Sequence, residues 1–170
     1  DGCNMRAQMQ KSGGRIPVEM ATIMLVTVGS ALMDVHKFNI LHRDISPENI
    51  FLTSNGSYKL IDFGAARFFT SRANKSLSVL LKPGFAPPEQ YSSKGNQGPW
   101  TDVYGLAATY YYLVSGVKPL DAMDRLSGKP MAALCDLCHG VSKKTSDAVN
   151  RALALDYHAR YKDMVSFLND

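Results

Sequence analysis

Apolar residues between Val18 and Phe38 recur with a helical period. Met20, Ile23, Met24, Thr27, Ala31 and Val35 follow that spacing, and Leu25, Val28 and Leu32 fill a neighbouring face. The pattern predicts one long helix, apolar on most sides, of the kind expected to sit deep in a domain. Pro17 suits a first helical position, and Ser12-Gly13-Gly14-Arg15 before it reads as a loop. After Asn39 the period changes. Ile50-Phe51-Leu52-Thr53 and Tyr58-Lys59-Leu60-Ile61 are short strand-like runs, separated by Ser54-Asn55-Gly56-Ser57. Asn-Gly is a strong hairpin signal. Residues 65–99 are rich in Ser, Lys, Gly and Pro and read as an extended segment. Helical patterns return over residues 101–115, 142–155 and 160–168. The expected architecture is mainly α with a small β-hairpin, with no internal repeat and no low-complexity tract.

Composition narrows the class. The 170 residues are 45% hydrophobic and 20% charged, which suits one domain with a real core rather than a disordered chain. A net charge of +4 suits an anionic ligand. No Lys/Arg run is interleaved with aromatics, so nucleic acid is not an expected partner. Three cysteines, Cys3, Cys135 and Cys138, are too few and too odd in number for a disulfide scaffold; they point to a reducing, cytoplasmic compartment. Cys135-Asp-Leu-Cys138-His139 fits a haem-attachment spacing, but no second ligand motif accompanies it, and incidental thiols are the expected reading. Asp1 to Gln10 lacks the apolar core of a signal peptide. The most apolar run, Ala21 to Met33, is shorter than the ~20 residues a bilayer needs, so no membrane segment is expected.

The chemistry gathers at His42-Arg43-Asp44-Ile45-Ser46-Pro47-Glu48-Asn49 and Ile61-Asp62-Phe63-Gly64. A two-residue Asn55-Gly56 turn sets residue 53 opposite 58, 51 opposite 60, and Asn49 opposite Asp62. Both polar side chains then emerge at the open end of the hairpin, with Asp44 one tight loop before them. Two carboxylates and an amide oxygen at one point suit a hard divalent cation and a general base.

These two stretches resemble the catalytic loop H-R-D-x-x-x-x-N and the D-F-G motif of protein kinases. Pro87-Pro88-Glu89 stands where that family has A-P-E, Trp100 to Gly105 is similar to the start of its central helix, and Arg160 is similar to the late arginine that pairs with the A-P-E glutamate. The overall flavour is similar to bacterial Ser/Thr-type kinases. The resemblance implies the kinase large lobe across residues 1–170, with a catalytic loop at 42–49 and an activation segment at 62–89. It implies ATP and magnesium as cofactors and a protein as substrate. Asp44 would accept the substrate hydroxyl's proton, and Asn49 and Asp62 would hold magnesium against the nucleotide phosphates. His42, Phe63 and Gly64 would support the active arrangement. Arg43 would pair with a phosphorylated Thr70, Ser71, Ser76 or Ser78. Asp102 would brace the catalytic loop, and Glu89 would pair with Arg160.

The sequence departs from that pattern in two places. Ser46 occupies the position where Ser/Thr kinases carry a lysine that touches the transferred phosphate. Counting back from Glu89, Lys82 falls near the catalytic aspartate and is a candidate replacement. Second, no G-x-G-x-x-G and no V-A-I-K-like strand occurs. The small lobe of the same parent chain is therefore expected to be absent, leaving little activity and an open interlobe surface through which a homodimer could form. A pseudokinase or scaffold lobe, and a small-molecule phosphotransferase, remain as alternatives.

Overall fold

The computed structural model describes residues 1–68 and 81–170. It is mostly helical, with small antiparallel sheets. In chain order the elements are β1 (Gly2–Asn4), α1 (Met5–Lys11), α2 (Val18–Lys37), β2 (Ile40–Leu41), β3 (Ile50–Thr53), β4 (Tyr58–Leu60), β5 (Arg67–Phe68), α3 (Pro99–Ser115), α4 (Ala122–Leu126), α5 (Leu134–Leu137), α6 (Lys143–Ala152) and α7 (Met164–Asn169). Single 3-10 turns lie at Phe63–Ala65, Pro88–Gln90 and Tyr157–Ala159.

The helix at the centre is α3, not α2. Pro99 opens α3 at its first turn, where a missing N–H costs nothing, and Gly116 closes it at φ +74. Fourteen of its residues are buried, including Tyr104, Tyr110 and Tyr111. In α2 only Ala21, Met24, Val28, Gly29 and Leu32 are buried, while Ile23 is 60% and Val26 48% exposed. The expected deep burial of α2 is thus corrected. Its buried residues recur at three- and four-residue steps, the stripe of a helix packed on one side. That side meets α3 and α7. Gly29 lets α7 approach, since a Cβ there would lie 2.9 Å from Leu168 Cδ1. By length and composition alone α2 is long and apolar enough to cross a bilayer, its most apolar 18 residues having a mean hydropathy of 1.6, but a core helix meets the same test and α2 packs its buried stripe against α3 and α7.

The hairpin forms, but in another register. Ile50 pairs with Leu60, Phe51 with Lys59 and Leu52 with Tyr58. Ile61 N donates to Asn49 O at 2.9 Å, so Asn49 faces Ile61 rather than Asp62. The cause is the turn. Thr53 N reaches Ser57 O, and Gly56 lies at φ +83. This is a three-residue loop with glycine in the left-handed region, not a two-residue turn. One extra loop residue shifts the partner strand by one and exchanges its faces.

The first eleven residues add elements that periodicity did not reveal. β1 pairs antiparallel with β3, making a three-stranded sheet in the order β1-β3-β4. Asn4 then caps α1 by accepting from Ala7 N at 2.9 Å. Met5 and Met9 carry α1 into the core, and Arg6 N donates to Pro47 O at 3.1 Å, tying α1 to the loop that bears the site.

Candidate active site

The loop 42–49 hangs from one buried carboxylate. Asp102, 1% exposed on α3, accepts from Arg43 N at Oδ1 (2.8 Å) and from His42 N at Oδ2 (2.9 Å). His36 Nε2, from the last turn of α2, lies 2.8 Å from the same Oδ2. Arg43 needs this hold because its φ is +69, a conformation side-chain-bearing residues avoid. Gln90 adds a third tether to the loop by donating to Arg43 O at 2.8 Å. Sequence reasoning did not single out His36 or Gln90. They stand 66 residues from Asp102 and 47 from Arg43, and no local pattern links them.

His42 is fully buried between the loop and the segment that follows the hairpin. Its Nε2 lies 3.2 Å from Ile61 O, its Nδ1 lies 3.4 Å from Asp44 N, and its ring meets that of Phe63 edge-on at 4.7 Å. A neutral ring with the proton on Nε2 satisfies both contacts: it donates to the carbonyl and accepts from the amide. Burial pushes its pKa below the usual 6.5, against the pull of Asp102, the Ile61 carbonyl, Asp44 and Asp62.

Asp44 is the hub of the polar groups. Asn49 Nδ2 donates to Asp44 O at 2.7 Å and to Asp44 Oδ2 at 2.8 Å. Both amide protons of Asn49 are used this way, so its carbonyl oxygen is the atom left to bind a ligand. Asp62, one residue beyond the hairpin pairing, sits at φ +64 and accepts from Gly64 N at 3.0 Å. A Cβ on Gly64 would lie 2.9 Å from Asp62 Oδ1, so glycine keeps that turn open. Among the described residues no group of three His, Cys, Asp or Glu side chains gathers for a metal. The oxygens of Asn49 and Asp62 are hard ligands of the kind magnesium takes when phosphates and water complete its shell.

Lys82 comes from the other side. Its Nζ lies 3.0 Å from Asp44 Oδ1, 3.1 Å from Oδ2 and 3.0 Å from Ser46 Oγ. A small cleft of about 10 Å³, room for a water molecule, lies beside this group, lined by Arg43, Asp44, Lys82, Phe85 and Ala86 among others. Farther back, Arg160 Nη1 and Nη2 donate to the two oxygens of Glu89 at 2.6 and 3.0 Å, with both side chains almost wholly buried. The four hydroxyls proposed as partners of Arg43, on Thr70, Ser71, Ser76 and Ser78, lie outside the described residues. Cys3, Cys135 and Cys138 are free thiols at partly buried positions.

Comparison with known proteins agrees with this geometry. The family described as "Protein kinase domain" matches residues 3–165. The chain belongs to the protein kinase family. It is 29% identical to a probable serine/threonine-protein kinase of Clostridium perfringens over 94% of its own length, and 31% identical to serine/threonine-protein kinase F of Synechocystis sp. over 99%. Against the probable serine/threonine-protein kinase PknB of Corynebacterium glutamicum the identity is 35% over 71% of the chain. The chain spans 24%, 34% and 19% of those kinases' own lengths, respectively. The loop 42–49, the turn 62–64 and the Glu89–Arg160 pair all fall inside the kinase match.

Proposed function

We propose that this chain is the large lobe of a protein serine/threonine kinase whose complete catalytic domain transfers the γ-phosphate of ATP to a protein hydroxyl. The observation that carries this reading is the Asp44–Asn49 pair, on a loop whose backbone amides are held by the buried Asp102. Asp44 orients the incoming hydroxyl and accepts its proton. Asn49 and Asp62 hold magnesium, which when bound neutralises charge on the nucleotide phosphates. His42 and Phe63 pack the loop against the Asp62 turn, and Asp102 keeps both backbone amides aimed. Arg43 borders the cleft where a phosphorylated activation segment would dock.

Ile61 and Phe63 are 40% and 45% exposed beside Asp62. We assign this apolar face to a small lobe from the same parent chain, which would cover the nucleotide; where that lobe is missing, a second copy is the alternative occupant. Catalysis in this class is mostly positioning, so the chain without the covering lobe has little activity. Three free thiols suit a reducing, cytoplasmic setting.

The test uses the chain extended upstream of Asp1, incubated with labelled ATP, magnesium and either a generic protein or small hydroxylated acceptors. Label on serine or threonine of the protein supports the proposal. Label only on the small acceptors makes it a small-molecule phosphotransferase, and no transfer makes it a scaffold lobe.

A further inference from the structure

Ser46 is fully buried two residues after Asp44, and its hydroxyl lies 3.0 Å from Lys82 Nζ. Lys82 reaches it from 36 residues away in sequence, within the segment that follows the Asp62 turn. The lysine is fixed by its backbone. Lys82 O accepts from Phe85 N at 3.0 Å and from Ala86 N at 3.1 Å. Gly84, inside that turn, lies at φ +86 with Pro119 O so close that a Cβ would stand 2.5 Å from it. The Lys82 side chain is 32% exposed and that of Asp44 22%, so the pair faces solvent at the mouth of the cleft. A pair so open contributes little to stability.

Resting on the kinase reading above, we propose that Lys82 is a catalytic residue whose ammonium contacts the phosphoryl group in transit, a cation delivered by the activation segment rather than by the catalytic loop. An ammonium carries three donors. Asp44 Oδ1, Asp44 Oδ2 and Ser46 Oγ lie 3.0, 3.1 and 3.0 Å from it, and a phosphoryl oxygen arriving beside Asp44 would take over one of these donors. In the transfer the acceptor hydroxyl oxygen bonds to the γ-phosphorus. The bond from that phosphorus to the bridging oxygen breaks, and its electron pair leaves with ADP. The hydroxyl proton passes to Asp44. Charge spreads over the three equatorial oxygens as this happens, and a fixed point charge beside them lowers the barrier. The same ammonium holds Asp44 in place until the acceptor arrives. Chemistry therefore depends on the placement of the 82–86 turn, and a displaced turn removes both the cation and the hold on the base.

The experiment measures protein phosphorylation at saturating ATP by the chain extended upstream of Asp1, with folding of each variant checked by circular dichroism and a thermal melt. Lys82→Met is expected to lower kcat by about 10²- to 10³-fold while the KM for ATP stays within about threefold. Moving the charge in the double variant Ser46→Lys/Lys82→Met is expected to restore at least a tenth of the parent kcat. Retention of kcat within threefold in Lys82→Met overturns the inference, and so does a folded double variant no faster than Lys82→Met. If Ser46→Lys, at a fully buried position, prevents folding, Lys82→Arg decides: arginine clearly faster than methionine supports the inference, and equal losses overturn it. Asp44→Asn separates the two claims. An inactive Asp44→Asn beside a fully active Lys82→Met sinks only the role of Lys82. A parent enzyme that transfers nothing sinks the kinase reading and this inference with it.

Discussion

Removing the Glu89 carboxylate exposes how the back of the site is held. Arg160 has five N–H donors, and all are used. Nε reaches Ala154 O, Nη1 reaches Glu89 Oε1 and Trp100 O, and Nη2 reaches Glu89 Oε2 and Leu155 O. The guanidinium also lies over the Tyr104 ring, 5.0 Å from its centroid. Glu89→Ala leaves three carbonyl partners but no counter-charge for a cation whose side chain is 0% exposed. Stranding a buried charge costs about 3–5 kcal/mol. Thr101 Oγ1, 3.1 Å from Glu89 Oε1, loses a partner as well. For a chain of this size, ~2–4 °C per kcal/mol turns that cost into a fall of roughly 6–20 °C in Tm. Urea unfolding followed by circular dichroism gives the free energy directly, with an unchanged m-value showing that the unfolded state is not at fault. Adding Arg160→Ala to Glu89→Ala should cost less than the sum of the single losses, because no charge is then stranded. A loss under about 1 kcal/mol at constant m would refute the reasoning, since it would mean that water reaches the guanidinium.

Two further outcomes follow from the same geometry. His42 has its pKa lowered by burial, so below the usual 6.5 the unfolded chain takes up its proton first. Its contribution to stability is therefore complete above that value and is lost as pH falls through it; urea midpoints between pH 8 and 5 should show this slope, and His42→Phe should flatten it. Gly95 has no room for a methyl group, because a Cβ would lie 1.8 Å from Glu89 O. Gly95→Ala should displace the Glu89 turn and lower Tm, and an unchanged melt would show that this turn gives way freely.

The loop 42–49 and the Asp62 turn were legible in the sequence because their motifs are local: Asp44 and Asn49 share one short loop, and Asp62 follows the hairpin that leaves it. The contacts that hold it were not, since His36 and Asp102 meet only when α2 crosses α3. The ends of α2 were readable from its period. Its depth was not, because periodicity names the apolar faces and says nothing of which one meets a partner. Asn55-Gly56 announced the hairpin, yet the register turned on a single loop residue. Thr53 Oγ1 accepts from Ser57 N at 3.0 Å and helps close the longer loop. That slip moved Asp62 off the ladder, into a left-handed turn where its carboxylate accepts from Gly64 N. Lys82 was found by counting back from Glu89, and the structure sets its Nζ 3.0 Å from Asp44 Oδ1.

The central claim is that Asp44 is the base of a phosphoryl-transfer site. Single-turnover transfer from labelled ATP to protein, by the chain extended upstream of Asp1, tests it most directly when Asp44→Asn is compared with the parent. Asparagine keeps the size of the side chain and removes its charge and basicity. The account predicts a loss of about 10²- to 10⁴-fold in the transfer rate with nucleotide affinity retained. A transfer rate within threefold of the parent would contradict it.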